Sequence, residues 1–124
     1  MSPRWNENLA GAALQIAQTN SSPVWVAAGP GTGKTFALMR RLARLLEVDN
    51  VQPGQILVCT FTRTAAGDLA RAVATLGIAG ADDVEAQTVH ALCFSMLTRQ
   101  EVLQTTGRVP RPLLKSEERF YWRT

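Results

Sequence analysis

The chain has 124 residues, 46% hydrophobic and 19% charged, with 13 basic and 10 acidic residues for a net charge of +3. That length holds one small domain and no more, and the hydrophobic share excludes a disordered polar chain. The mild positive charge is compatible with nucleic acid, but an ordinary solvated surface with a few extra arginines accounts for it equally well.

Residues 6–19 read as a first helix with Leu9, Ala12, Ala13, Leu14, Ile16 and Ala17 as its apolar content and Asn6 or Asn8 as its cap. Thr19 to Pro23 is a loop. Val24 to Ala28 is a short apolar run that predicts a first strand, and it feeds a helix over about 34–48. In that helix Phe36, Leu38, Met39, Leu42, Leu45 and Leu46 are apolar and Arg40, Arg41, Arg44 and Glu47 are not. After the Pro53-Gly54 turn signal, Gln55 to Phe61 is a continuous apolar run. It predicts a second strand covered on both faces of a parallel sheet.

A helix from Thr64 to Leu76 follows, then a Gly-containing loop over Gly77 to Asp83 and a third strand over Val84 to Val89. A helix from His90 to about Gln104 is expected to bury Leu92, Cys93, Phe94, Met96 and Leu97. Gly107 to Pro112 is a loop, and residues 113–122 begin a short helix. Strands alternating with helices give βαβ units, hence an α/β fold with a parallel sheet flanked by helices. No apolar run reaches the roughly 18 residues of a membrane span, and the N-terminus has no signal-peptide pattern. Cys59 and Cys93 fall in no metal-ligand spacing, so buried, reduced thiols of a cytoplasmic protein are expected.

The join between first strand and following helix carries the chemistry. It reads Ala28-Gly29-Pro30-Gly31-Thr32-Gly33-Lys34-Thr35, a phosphate-binding loop with Ala28 in the slot that is usually glycine. Gly29, Gly31 and Gly33 let the backbone turn tightly and bring N–H groups close to an anion. Lys34 brings a point charge to the outer phosphates, and the Thr35 hydroxyl can reach a magnesium ion. The positive end of the next helix aims at the same place. The strand–loop–helix context separates this run from a chance Gly/Pro-rich turn.

Two further segments lie after the second and third strands: Thr60-Phe61-Thr62-Arg63-Thr64-Ala65-Ala66 and Thr88-Val89-His90-Ala91-Leu92-Cys93. Together with the P-loop and the spacing between them, they resemble the start of UvrD/Rep/PcrA-type superfamily 1 DNA helicases, over residues 9 to about 115. The resemblance implies a partial RecA-like P-loop NTPase domain. It implies that the loop binds ATP and magnesium, that Thr60, Phe61, Thr62 and Arg63 lie along single-stranded DNA, and that Thr88 and His90 belong to a second DNA-contacting motif. An aromatic at a loop edge stacks on any base and so grips without reading sequence. For the adenine-contacting glutamine, Gln15 has the best spacing to the P-loop and Gln18 is second. The chain departs from the family where Arg63-Thr64 replaces the usual Asn-Lys and where Phe36 replaces an arginine near the base.

The resemblance divides the chain into an N-terminal helix with a Gln motif (1–22), the first part of a helicase ATP-binding domain (23–112) and a truncated C-terminal segment (113–124). The activity it implies is ATP-driven movement on single-stranded DNA and duplex unwinding. No Walker B acid follows: Ile78 to Asp83 reads as a loop, so an N-terminal fragment is expected, inactive by itself. The alternatives are a stand-alone P-loop ATP-binding module and a split-motor subunit that needs a second chain. Taken one by one, Phe61 and Trp25 have plain readings as core, His90 as a backbone-bonded histidine, and Arg40, Arg41 and Arg44 as the exposed face of the P-loop helix.

Overall fold

The computed structural model of the chain describes residues 5–112. These form two compact units that divide between Thr88 and Val89. The first contains helices α1 (Gly11–Gln18), α2 (Lys34–Glu47) and α3 (Arg63–Ala74), with strands β1 (Leu57–Thr60) and β2 (Glu85–Thr88). The two strands pair in parallel, Leu57 opposite Glu85 through Thr60 opposite Thr88. Helix α3 is the crossover between them and packs on both, which is the βαβ unit expected.

Helix α2 is built from strong helix formers, with Ala37, Met39, Leu42 and Ala43 as its buried face. It ends before Asn50, whose φ of 50° is a left-handed conformation that asparagine tolerates. Met39 and Leu42 meet Val58 of β1, Val73 of α3 and Leu76, Ile78, Ala81 and Val84 in one core. Full burial of each large apolar side chain contributes about 1.5–3 kcal/mol. The stretch Ile78 to Asp83 is a loop, as expected, with a 3-10 turn over Ala81–Asp83. It also anchors the core, since Ile78 and Ala81 are buried.

Several expectations are corrected. Val24 to Ala28 forms no strand. It is an exposed segment, and Trp25, expected in the core, is 92% exposed. A strand is defined by the backbone groups it pairs with, and among the described residues β1 pairs only with β2. The second strand is shorter than Gln55 to Phe61, because Pro53–Gln55 is a 3-10 turn. It is covered on one face only: Val58 is buried while Leu57 and Cys59 are exposed. Helix α1 begins at Gly11, after an Ala10 that offers no side-chain cap. Asn6 and Asn8 therefore do not cap it.

The second unit is described by α4 (Val89–Leu97) and α5 (Gln100–Thr106). One helix from His90 to Gln104 was expected. The break falls at Thr98-Arg99, where the Thr98 hydroxyl donates to the carbonyls of Phe94 at 3.2 Å and Ser95 at 2.9 Å. Arg99 is extended, with ψ of 142°. A threonine hydroxyl bonding its own helix competes with the ladder and favours such a stop. Neither helix buries a residue, so Phe94, Met96 and Leu97 are exposed against expectation, and so is Cys93. The helix expected over 113–122 lies outside the described residues.

Candidate nucleotide-binding site

Residues 29–33 turn between the extended Val24 to Ala28 segment and α2. Gly31 and Gly33 have φ of 70° and 78°, a region costly for any residue with a Cβ. Gly33 is the residue before α2, and no side chain caps that helix. Its first intrahelical bond runs from Ala37 N to the Gly33 carbonyl at 3.0 Å. The N–H groups of the first turn are thus left without side-chain acceptors, at the positive end of a 14-residue helix. This is the backbone arrangement that binds phosphate.

The Thr32 hydroxyl donates to the Gly29 carbonyl at 2.8 Å, which closes the loop on itself. The Lys34 ammonium donates to the Ala28 carbonyl at 3.2 Å and to that of Gly29. One of its three protons is left over. A cleft of about 320 Å³ opens beside the loop, lined by Lys34, Thr35, Leu38, Cys59, Thr60, Ala65, Asp68 and Leu69. It brings Lys34 and Thr35 to the same space as Thr60. The donors and the loop backbone fit a triphosphate. For magnesium the cleft offers the Thr35 hydroxyl, one ligand of the kind that ion takes alongside phosphate oxygens and water. Among the described residues no three His, Cys, Asp or Glu side chains gather to hold a metal.

Asp68 on the cleft wall was not singled out from sequence. Its carboxylate is paired with Arg71 three residues later, the common helix-surface arrangement. Gln15 lies exposed on α1, its carbonyl accepting from Thr19 N at 3.1 Å. Gln18 is also exposed. Phe36, where the family has arginine, is half exposed, with the Arg40 guanidinium 5.0 Å from its ring centroid.

The residues singled out for DNA fall at the C-terminal ends of the strands. Thr60 and Thr88 are register partners there. Phe61 follows Thr60 and is 82% exposed, so its reading as core is overturned. Thr62 caps α3: its hydroxyl oxygen accepts from Ala65 N at 3.1 Å, which leaves the hydroxyl proton to donate elsewhere. Arg63 is the exposed first residue of α3. His90 is exposed in the first turn of α4, in the second unit.

Arg41 and Arg44 depart from the expected exposed face of α2. Both are partly buried and donate to main-chain carbonyls at the end of α1. Sequence gave no signal for this, because the acceptors are backbone atoms.

Comparison with known proteins gives a family. The UvrD/REP helicase N-terminal domain matches residues 9–122. The ATP-dependent DNA helicase PcrA of Bacillus subtilis is 36% identical over 85 residues, covering 68% of this chain and 12% of that protein. PcrA of Leuconostoc citreum is 40% identical over 86 residues, 68% of this chain and 12% of the relative. The ATP-dependent DNA helicase UvrD2 of Mycobacterium bovis is 40% identical over 80 residues, 60% of this chain and 11% of the relative. The chain thus spans about an eighth of the length of these helicases. No helix among the described residues is long and apolar enough to cross a membrane. With the P-loop heading α2, the parallel βαβ unit behind it and a domain match over nearly its whole length, the chain belongs to the UvrD/REP helicase N-terminal domain family.

Proposed function

We propose that this chain binds ATP and single-stranded DNA as the first part of the ATP-binding domain of a DNA helicase. The observation that carries the reading is the head of α2, where two positive-φ glycines, an uncapped helix N-terminus and Lys34 meet. Residues Ala28 to Thr35 cradle the phosphates, with Pro30 and Thr32 shaping the loop. Lys34 neutralises the outer phosphates, Thr35 binds Mg2+, and Gln15 contacts the base. Thr60, Phe61, Thr62 and Arg63 take the DNA strand, with Thr88 and His90 in the second contact. Residues 1–22, 23–112 and 113–124 are the Gln-motif helix, the first part of the ATP-binding domain and the segment that continues from it. The setting is cytoplasmic.

Hydrolysis, movement along DNA and unwinding also need an acid on magnesium and a group that orients water. The proposal takes these from beyond this stretch. The exposure of Val24, Trp25, Val26 and Leu57 favours completion of the sheet by further strands, in the same polypeptide or on a second chain. ATPase activity would then appear only when that part is supplied.

The test is binding of MgATP to the purified chain and to Lys34→Ala, with and without a single-stranded oligonucleotide. Magnesium-dependent binding that disappears in Lys34→Ala, and oligonucleotide binding that weakens with salt, are expected. ATP binding unchanged in Lys34→Ala would overturn the reading. ATP binding with no affinity for the oligonucleotide would favour a stand-alone P-loop module.

A further inference from the structure

The last carbonyls of a helix have no partner within it, and α1 carries no basic residue in its last turn. Helix α2 supplies the missing donors. Arg41 Nη1 donates to the carbonyls of Ile16 at 2.8 Å and Thr19 at 3.0 Å. Arg44 reaches the carbonyls of Ala17, Gln18 and Thr19 and the side-chain oxygen of Asn20. Its side chain is 11% exposed, lies 3.5 Å from the Asp49 carboxylate and sits over the Trp5 ring. Two positive guanidinium groups thus close the negative end of α1. A cavity of about 280 Å³ lies at this junction, and its lining includes the Asp49 carboxylate beside the two arginines, a negative charge that disfavours an anion there.

The arrangement ties together two parts of the nucleotide reading. Lys34 opens α2, and Arg41 follows seven residues later, about 10 Å along the axis. The residue it holds, Ile16, directly follows Gln15. The spacing along α2 is on the scale of a ribose and base. We propose that Arg41 and Arg44 are positioning residues: they fix α1 along α2, so that Gln15 meets the base of a nucleotide whose triphosphate lies in the loop. The proposal rests on the ATP-binding reading above. Base recognition then depends on the two arginines, while recognition of the triphosphate does not.

Lysine keeps the charge of arginine but loses the planar fork of donors, so Arg41→Lys and Arg44→Lys are the informative variants. The experiment measures affinity of the full chain for MgATP and for magnesium tripolyphosphate, which lacks ribose and base. Expected is a drop of about tenfold in the preference for ATP, as when a charge-assisted hydrogen-bond set is weakened. Tripolyphosphate affinity is expected to hold within about twofold, and Gln15→Ala to lose the same preference without adding to the arginine variants. Amide exchange is expected to quicken in α1 while β1 and β2 stay protected. An equal loss for both ligands would make the arginines merely structural and overturn the proposal, as would an unchanged preference. Wild-type chain that binds neither ligand would instead overturn the ATP-binding reading and the proposal with it.

Discussion

The Nζ of Lys34 lies 3.2 Å from the carbonyl oxygen of Ala28, so the loop's cation bridges back to the segment that leads into the loop. The same ammonium bonds Gly29, and the ends of the loop are tied by one side chain. Both bonds are exposed to solvent. Their loss should therefore cost little stability, within about 0.5 kcal/mol for an exposed site. Lys34→Ala is expected to unfold in urea at nearly the wild-type midpoint while MgATP affinity falls by about a hundredfold, on the order expected for a charged group on phosphate. Titration calorimetry beside urea melts checks it, and a large loss of stability would show that the tie, rather than phosphate, is the lysine's main role.

Phe61 separates stability from binding in the same way, for the other ligand. Its ring is exposed at the end of β1, so Phe61→Ala removes almost no burial and should shift thermal stability by little. If the ring stacks on a base, the same change should weaken single-stranded DNA by about 1–3 kcal/mol. Fluorescence anisotropy with labelled oligothymidine at low and moderate salt measures this. An affinity unchanged at both salts would remove Phe61 from the interface.

What could be read from the sequence follows from how local each feature is. The tight turn before α2 was legible because Gly31 and Gly33 encode their positive φ in residue type, and α2 and α3 were legible from helical periodicity. Val24 to Ala28 was not, because a strand exists only through its neighbours and an apolar run does not reveal whether they are at hand. The roles of Arg41 and Arg44 were hidden for a related reason. A guanidinium that bonds backbone carbonyls 22 to 27 residues away leaves little to find: of the two, Arg44 also meets side chains, those of Asn20 and Asp49. The break at Thr98 falls in the polar run Thr98 to Glu101, which reads equally well as the solvent face of one continuous helix, and the hydroxyl that ends α4 acts on the main chain.

Thr62 combines a structural and a proposed binding role in one hydroxyl. As the cap of α3 it accepts from Ala65 N at 3.1 Å. Thr62→Ala is expected to destabilise the first unit by about 1 kcal/mol, the usual cost of losing an N-cap. Thr62→Asp restores the acceptor and should recover that stability, yet it sets a negative charge against a DNA phosphate. The pair therefore gives opposite orders in the two assays: aspartate is the better variant in urea melts and the worse one in oligonucleotide binding. The same order in both would confine Thr62 to capping.

Gly80 offers a test of the fold that is independent of any ligand. It precedes the 3-10 turn that buries Ala81, and its φ is 81°. A Cβ at this position would lie 2.7 Å from Pro53 Cγ, across the contact between the two 3-10 turns. Proline is too stiff to move aside alone, so either the turn over Pro53–Gln55 or that over Ala81–Asp83 must shift. Gly80→Ala therefore adds a clash to the backbone strain of about 1–2 kcal/mol that a left-handed position costs, and it works on loops that hold Ile78 and Ala81 in the core. A loss of more than about 2 kcal/mol in urea is expected, as for overpacking of a tight site. The double variant Gly80→Ala, Pro53→Ala should regain part of it, because the shorter side chain clears the Cβ. A Gly80→Ala chain as stable as wild type would mean that these two turns do not pack together as described.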